Sequence, residues 1–170
     1  MTRFFISPGD PSGIGPEITL KALSENKDIQ NNFVLAGDKT LYLDLIDRNN
    51  IDLNLIDESS KETGVIFKHF PLQNQISFGK PDVANANYII DILSYGALGC
   101  LKKEFKGLIT GPINKELINE SGFEFSGHTE FLSDICNAKK VVMLLMNKKL
   151  KIALLTTHIP LSEVPSKISK

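Results

Sequence analysis

Short apolar runs recur along this sequence, and most end in a glycine- or proline-bearing loop that leads into a segment of helical period. Phe4-Phe5-Ile6 runs into the loop from Ser7 to Glu17, after which Ile18, Leu20, Ala22 and Leu23 take up helical spacing. Phe33 to Asp38 repeats the strand and turn, and Leu41, Leu45 and Ile46 follow on a second helix. Leu53 to Ile56 and Gly64 to Phe67 read as small strands with a turn between them. Helices alternating with apolar strands predict α/β layers around a mixed or mostly parallel sheet.

The pattern continues through the second half. Ala86, Ile89, Ile90, Leu93, Ala97 and Leu101 place a long helix between Asp82 and Lys103, and Gly107 to Thr110 reads as a buried strand. Short helices are expected over 113–119 and 130–137. Strands are expected over 140–146 and 152–156, divided by the Asn147-Lys148-Lys149 turn. Pro160 and Ser162 open a last helical pattern that nothing after Lys170 caps, which leads us to expect a chain cut short.

With 19 Lys and Arg against 20 Asp and Glu, the chain offers no basic field for nucleic acid or an anionic membrane. No signal peptide develops before Pro8, and no run reaches the ~18 apolar residues of a spanning helix. Cys100 and Cys136, far apart in apolar helical patterns, read as reduced, buried thiols. A soluble, cytoplasmic protein is the expectation.

Ligands of open α/β sheets usually bind where loops follow strands, and several loops here carry suitable chemistry. In the first, the glycines and a helix amino terminus can receive an anion, and Asp10 and Glu17 can orient a substrate or cation. It fits neither the dinucleotide nor the Walker fingerprint, and a plain tight turn explains it equally. In the second, Lys115 stands on a helix's first turn, where the dipole does not call for a cation; it is either an anion ligand or an ordinary solvated lysine. His128 and Thr129 follow Gly127, where imidazole and hydroxyl can meet a polar ligand while Thr129 caps the helix; a surface histidine without a role is the alternative. In the third, His158 follows a strand and precedes Pro160, a placement that suits a metal ligand, although no paired-histidine or cysteine motif accompanies it. His69 reads as a residue without a role.

Taken together, the segments 7–17, 108–115, 127–130 and 156–161 resemble, in order and spacing, the 4-hydroxythreonine-4-phosphate dehydrogenase family of pyridoxal phosphate biosynthesis. The resemblance covers essentially the whole chain. It implies the layered, two-lobed α/β architecture of isocitrate and isopropylmalate dehydrogenases, working as a homodimer with active sites near the subunit junction. It also implies a small phosphorylated substrate, 4-hydroxy-L-threonine 4-phosphate. NAD or NADP takes hydride from the alcohol carbon, and the resulting β-keto acid loses carbon dioxide to leave an amino-ketone phosphate. A divalent zinc, magnesium or cobalt ion assists. Residue by residue, His128 and Thr129 match the family's substrate-binding pair and His158 the first of its metal histidines, while Asp10 and Lys115 lie in matching motifs as active-site support. Family members continue well past residue 170, so residues 1–170 are expected to be an amino-terminal portion without full activity of its own. Two rivals stay open: a dehydrogenase of another phosphorylated hydroxy acid, and a non-catalytic α/β binding domain.

Overall fold

The computed structural model describes residues 3–156 and 159–168. By internal contacts the chain divides into two compact units, Met1–Cys136 and Asn137–Lys170.

In the first unit, strand β1 (Arg3–Ser7) is followed by helix α1 (Gly15–Glu25), β2 (Phe33–Gly37), α2 (Lys39–Arg48), β3 (Leu55–Ile56) and β4 (Val65–His69). Helix α3 (Ala86–Leu101), β5 (Phe105–Thr110), α4 (Lys115–Glu120) and α5 (His128–Ile135) complete it. The strands form one sheet in the order β3-β4-β2-β1-β5, and every pairing in it is parallel. Alternation along the strands then sorts side chains to two layers. Phe5, Val34, Ala36 and Ile66 pack with α3 through Ile89, Ile92 and Leu93. Ile6, Leu35, Val65 and Phe67 pack with Leu20 and Leu23 of α1 and Leu41, Tyr42 and Leu45 of α2. The expected layered α/β sheet is therefore present.

Local chemistry sets the helix starts. Proline stands in the first turn of α1, where its missing N–H costs nothing. Asp38 caps α2, its Oδ1 accepting from the Leu41 amide at 3.1 Å, while its Oδ2 accepts from the Leu72 amide at 3.0 Å.

Topology decides where a ligand can enter. From β1 the chain steps outward through β2 to β3 at the edge, sets β4 between those two, then returns to add β5 on the other side of β1. Connections leaving the carboxyl ends of β1 and β5 thus part in opposite directions and leave a crevice between them.

Some expectations need correction. Gly107 to Thr110 is not a buried strand: β5 forms the sheet edge, and Ile109 is 43% exposed. Apolarity marks a strand but cannot report whether a neighbour covers it. Cys100 is half-buried and Cys136 exposed, although both thiols are free as expected. Helix α5 begins two residues before the expected start, with Gly127 at its N-cap and no side-chain cap bond. Thr129 therefore sits inside the first turn and does not cap the helix.

In the second unit, β6 (Leu144–Met146) and β7 (Lys151–Ala153) form an antiparallel hairpin, shorter than the runs that predicted it. Its turn is the expected one, with Asn147 Oδ1 accepting from the Lys149 and Leu150 amides. A short 3-10 segment, Leu161–Glu163, leads into α6 (Val164–Lys167), where the helical pattern was expected to begin. Among the described residues no helix is long and apolar enough to cross a membrane.

Candidate active site

The crevice between β1 and β5 is held by backbone contacts between the loops that leave them. The Gly111 amide donates to the Ser7 carbonyl at 2.7 Å, and the Asp10 amide to the Pro112 carbonyl at 3.1 Å. A methyl group on Gly9 would run into the Pro112 carbonyl, and one on Gly15 or Gly111 into the Pro8 carbonyl. Gly9 and Gly111 thus let the two loops touch, while Gly15 lets the first loop fold back on itself.

The same loop is pinned from within. Ser12, 1% exposed, donates its amide to Asp10 Oδ1 at 2.8 Å. Its hydroxyl accepts from Asn85 Nδ2 at 3.0 Å, and its carbonyl accepts from the Gly79 amide at 2.8 Å. Asn85 is itself 3% exposed, at the approach to α3. The result is a fixed Asp10, 6% exposed, at the mouth of the loop.

A cavity of about 510 Å3 opens there, lined by Asp10, Gly13, Ile14, Pro112, Asn114 and Lys115 among others. That volume suits a small phosphorylated metabolite. Lys115 is brought in by α4, whose N-cap Asn114 accepts from the amides of Glu116 at 3.0 Å and Leu117 at 3.4 Å. The sequence-predicted Asp10 and Lys115, more than a hundred residues apart, thus share one cavity.

His128 is not among the residues lining that cavity, but it stands close to Lys115. Asn119 on α4 holds the intervening loop from both sides, accepting from the Phe125 amide at 2.7 Å and donating to the Phe125 carbonyl at 3.0 Å. The His128 ring meets Phe125 edge-on, with centroids 6.0 Å apart. Its Nε2 is buried and has no partner among the described residues. Burial, and then the Lys115 charge, push the imidazole's pKa down, so it stays neutral at ordinary pH. The Lys115 ammonium also stands beside Gly127, with the Glu130 carboxylate. Thr129 follows on the exposed face of the first turn of α5.

His158 lies outside the described residues. Among the described residues no three His, Cys, Asp or Glu groups come together as a metal cluster. His69, read as having no role, is an exposed residue whose Nδ1 accepts from the Lys39 amide at 3.1 Å.

Sequence reasoning missed Ser12, Asn85 and Asn119. Asn85 reaches Ser12 across 73 positions, and no local pattern announces such a pairing. Asn119 carries a weak signal, an asparagine just ahead of a glycine-containing turn.

Residues 28–170 match the family of the pyridoxal phosphate biosynthetic protein PdxA. A 4-hydroxythreonine-4-phosphate dehydrogenase from Vibrio parahaemolyticus is 36% identical, over 99% of this chain and 52% of the relative. One from Pseudomonas aeruginosa is 37% identical, over 98% of this chain and 53% of the relative. The crystal structure of the enzyme of that name from Klebsiella pneumoniae superposes with a TM-score of 0.84 at 27% identity, over 96% of this chain and 53% of that one. The chain spans about half the length of the curated relatives it matches. Its fold is accordingly of the isocitrate/isopropylmalate dehydrogenase-like kind.

Proposed function

The chain belongs to the PdxA family of pyridoxal phosphate biosynthetic proteins, and from that premise we propose that it forms part of the active site of a 4-hydroxythreonine-4-phosphate dehydrogenase. The observation that carries the reading is a buried carboxylate and an ammonium on one cavity, beside a neutral histidine with an unpartnered ring nitrogen. A substrate bearing phosphate, carboxylate, hydroxyl and amine groups answers all of them.

In this reading Lys115 takes an anionic group of the substrate. A neutral imidazole offers one N–H and one lone pair, so His128 can bond a substrate hydroxyl or phosphate oxygen through its free nitrogen. Thr129 adds a hydroxyl from the next position, and Asp10 accepts a donor from the loop side.

A nicotinamide cofactor, NAD or NADP, supplies the hydride acceptor in our reading. Asp38, the acid at the end of β2, accepts a backbone amide on each oxygen and so serves the fold as the cap of α2. We assign His158 to a divalent metal, zinc, magnesium or cobalt, which would supply a Lewis acid for the substrate hydroxyl when bound. A cytoplasmic homodimer, with this chain as the amino-terminal part of a two-lobed enzyme, completes the proposal.

Calorimetric titration of the chain with 4-hydroxythreonine 4-phosphate tests it. His128→Ala should weaken binding about tenfold, or about 1.4 kcal/mol, with an unchanged circular dichroism spectrum. Equal affinity in a folded variant would remove His128 from the site. Because relatives are about twice as long, we expect no appreciable NAD-dependent turnover from these 170 residues alone. Robust, chelator-insensitive turnover would overturn the metal assignment.

A further inference from the structure

Gly13 differs from the other glycines at the crevice. Gly9, Gly15 and Gly111 are explained by carbonyl groups that leave no room for a side chain. At Gly13 the φ angle lies outside the left-handed region, and an added Cβ would meet only the Asp10 carbonyl oxygen at 3.4 Å and the Asp10 Cβ at 3.7 Å. Those are ordinary contacts, so neither backbone conformation nor packing within the protein asks for glycine there. What Gly13 does face is the cavity it lines with Asp10, Ile14 and Lys115.

Asp10 supplies an independent observation. It is 6% exposed, its Oδ1 is bonded to the Ser12 amide, and among the described residues no donor meets its Oδ2. That oxygen is not among the side-chain atoms shut away from solvent without a partner, so it is open to a donor from the cavity side. Ser12 and Asn85 hold it in that position, where it lines the cavity. On the other wall Lys115 forms no salt bridge among the described residues. The cavity therefore presents a bare stretch of backbone, an acceptor with no donor from the protein on one oxygen, and an exposed cation that forms no ion pair within 4 Å among the described residues, although the Glu130 carboxylate stands nearby.

We infer that Gly13 is a ligand-contact glycine. A phosphorylated hydroxy compound lies against its backbone, donates a hydroxyl or amine hydrogen bond to Asp10 Oδ2 and turns its phosphate towards Lys115. This rests on the reading of the cavity as the active site and deepens it. It adds a steric limit at Gly13 and a donor requirement at Asp10, so a phosphorylated compound without a donor at that point leaves the carboxylate unanswered and binds worse. The chemistry is shared by the hydroxy amino acid phosphate and by the ribose phosphate of a nicotinamide nucleotide, and binding to the chain tells them apart.

The experiment is amide-resolved NMR titration of the 15N-labelled chain with 4-hydroxythreonine 4-phosphate, with NAD and with inorganic phosphate, in wild type, Gly13→Ala and Asp10→Asn. The occupant should shift the Gly13, Ile14 and Lys115 amides together. Gly13→Ala should keep the wild-type melting temperature while weakening that occupant by about tenfold or more, as an intruding methyl does in a filled site. Asp10→Asn should weaken it as well, and inorganic phosphate should leave the Gly13 amide in place. A loss confined to one of the two organic ligands names the occupant. Shifts at Lys115 and Thr129 without any at Gly13, with Gly13→Ala binding as wild type does, would overturn this inference and leave the proposed function standing. No response to either organic ligand at any of these amides would overturn both. A Gly13→Ala chain that fails to fold would show that packing does demand the glycine, and the inference would fall.

Discussion

The wall of the cavity that carries Asp10 is backbone locked on backbone, whereas the wall that carries Lys115 and His128 hangs from side chains. On the first wall, two loops exchange hydrogen bonds through Gly111 and Asp10, and Asp10 and Ser12 are almost wholly buried. On the second, Ile118 and Phe125 anchor the segment ahead of His128 in the core and Asn119 ties its loop through side-chain bonds, but α5 has no buried residue and Lys115 is exposed. In the proposed reading, the fixed acceptor sets the position of a charged ligand and the more exposed cationic side adapts to it.

The contrast is most exposed to failure at Gly111. Gly111→Ala sets a methyl against the Pro8 carbonyl in a wall that cannot yield, and should cost about 3 kcal/mol or more. Urea denaturation measures this; a loss of a few tenths would show that the first wall is as compliant as the second.

Asn119→Ala comes next. It removes both bonds to Phe125 and should cost about 2 kcal/mol, less than Gly111→Ala because this wall can relax. Hydrogen exchange at the Phe125 amide should quicken while the β1 amides stay protected. Equal quickening in both places would mean that the walls open as one.

The smallest effect is the pH response of His128. Its pKa is lower folded than unfolded, first through burial and then through Lys115, so the unfolded chain binds more protons as pH falls. The stability it contributes is fully present above the unfolded histidine pKa and is lost as pH falls from there through the folded value. His128→Gln should flatten that part of the stability profile, and an unchanged slope would mean that the imidazole is not held neutral by its surroundings.

Where the sequence could be read, the reason is local. Phe4 to Ile6, Phe33 to Gly37 and the helical spacing through Ile89 and Leu93 carry their own periods, and Asp10 and Lys115 follow strands whose ends a parallel sheet must gather on one side. Where it could not be read, the cause is at a distance or in the backbone. The Asn85 to Ser12 bond joins residues with no shared pattern. The edge position of β5 among the described residues is set by sheet order and not by its own residues, and the start of α5 at His128 puts Thr129 inside the first turn instead of at the cap.

Strand β1 has a further consequence in time. Its partner β5, aligned with it from Arg3 opposite Phe105 to Ser7 opposite Thr110, lies roughly a hundred residues downstream. At a synthesis rate of about 5–20 residues per second, β1 waits some 5–20 s for that neighbour. Through that interval the nascent chain can build the β2 side of the sheet, but Asp10 has no Pro112 carbonyl to bond and the crevice has no second wall. The chemistry of this protein is thus assembled late, by a long-range docking step that depends on the arrival of residues 105–112, and a ribosome stalled short of them would hold a half-built sheet and no site.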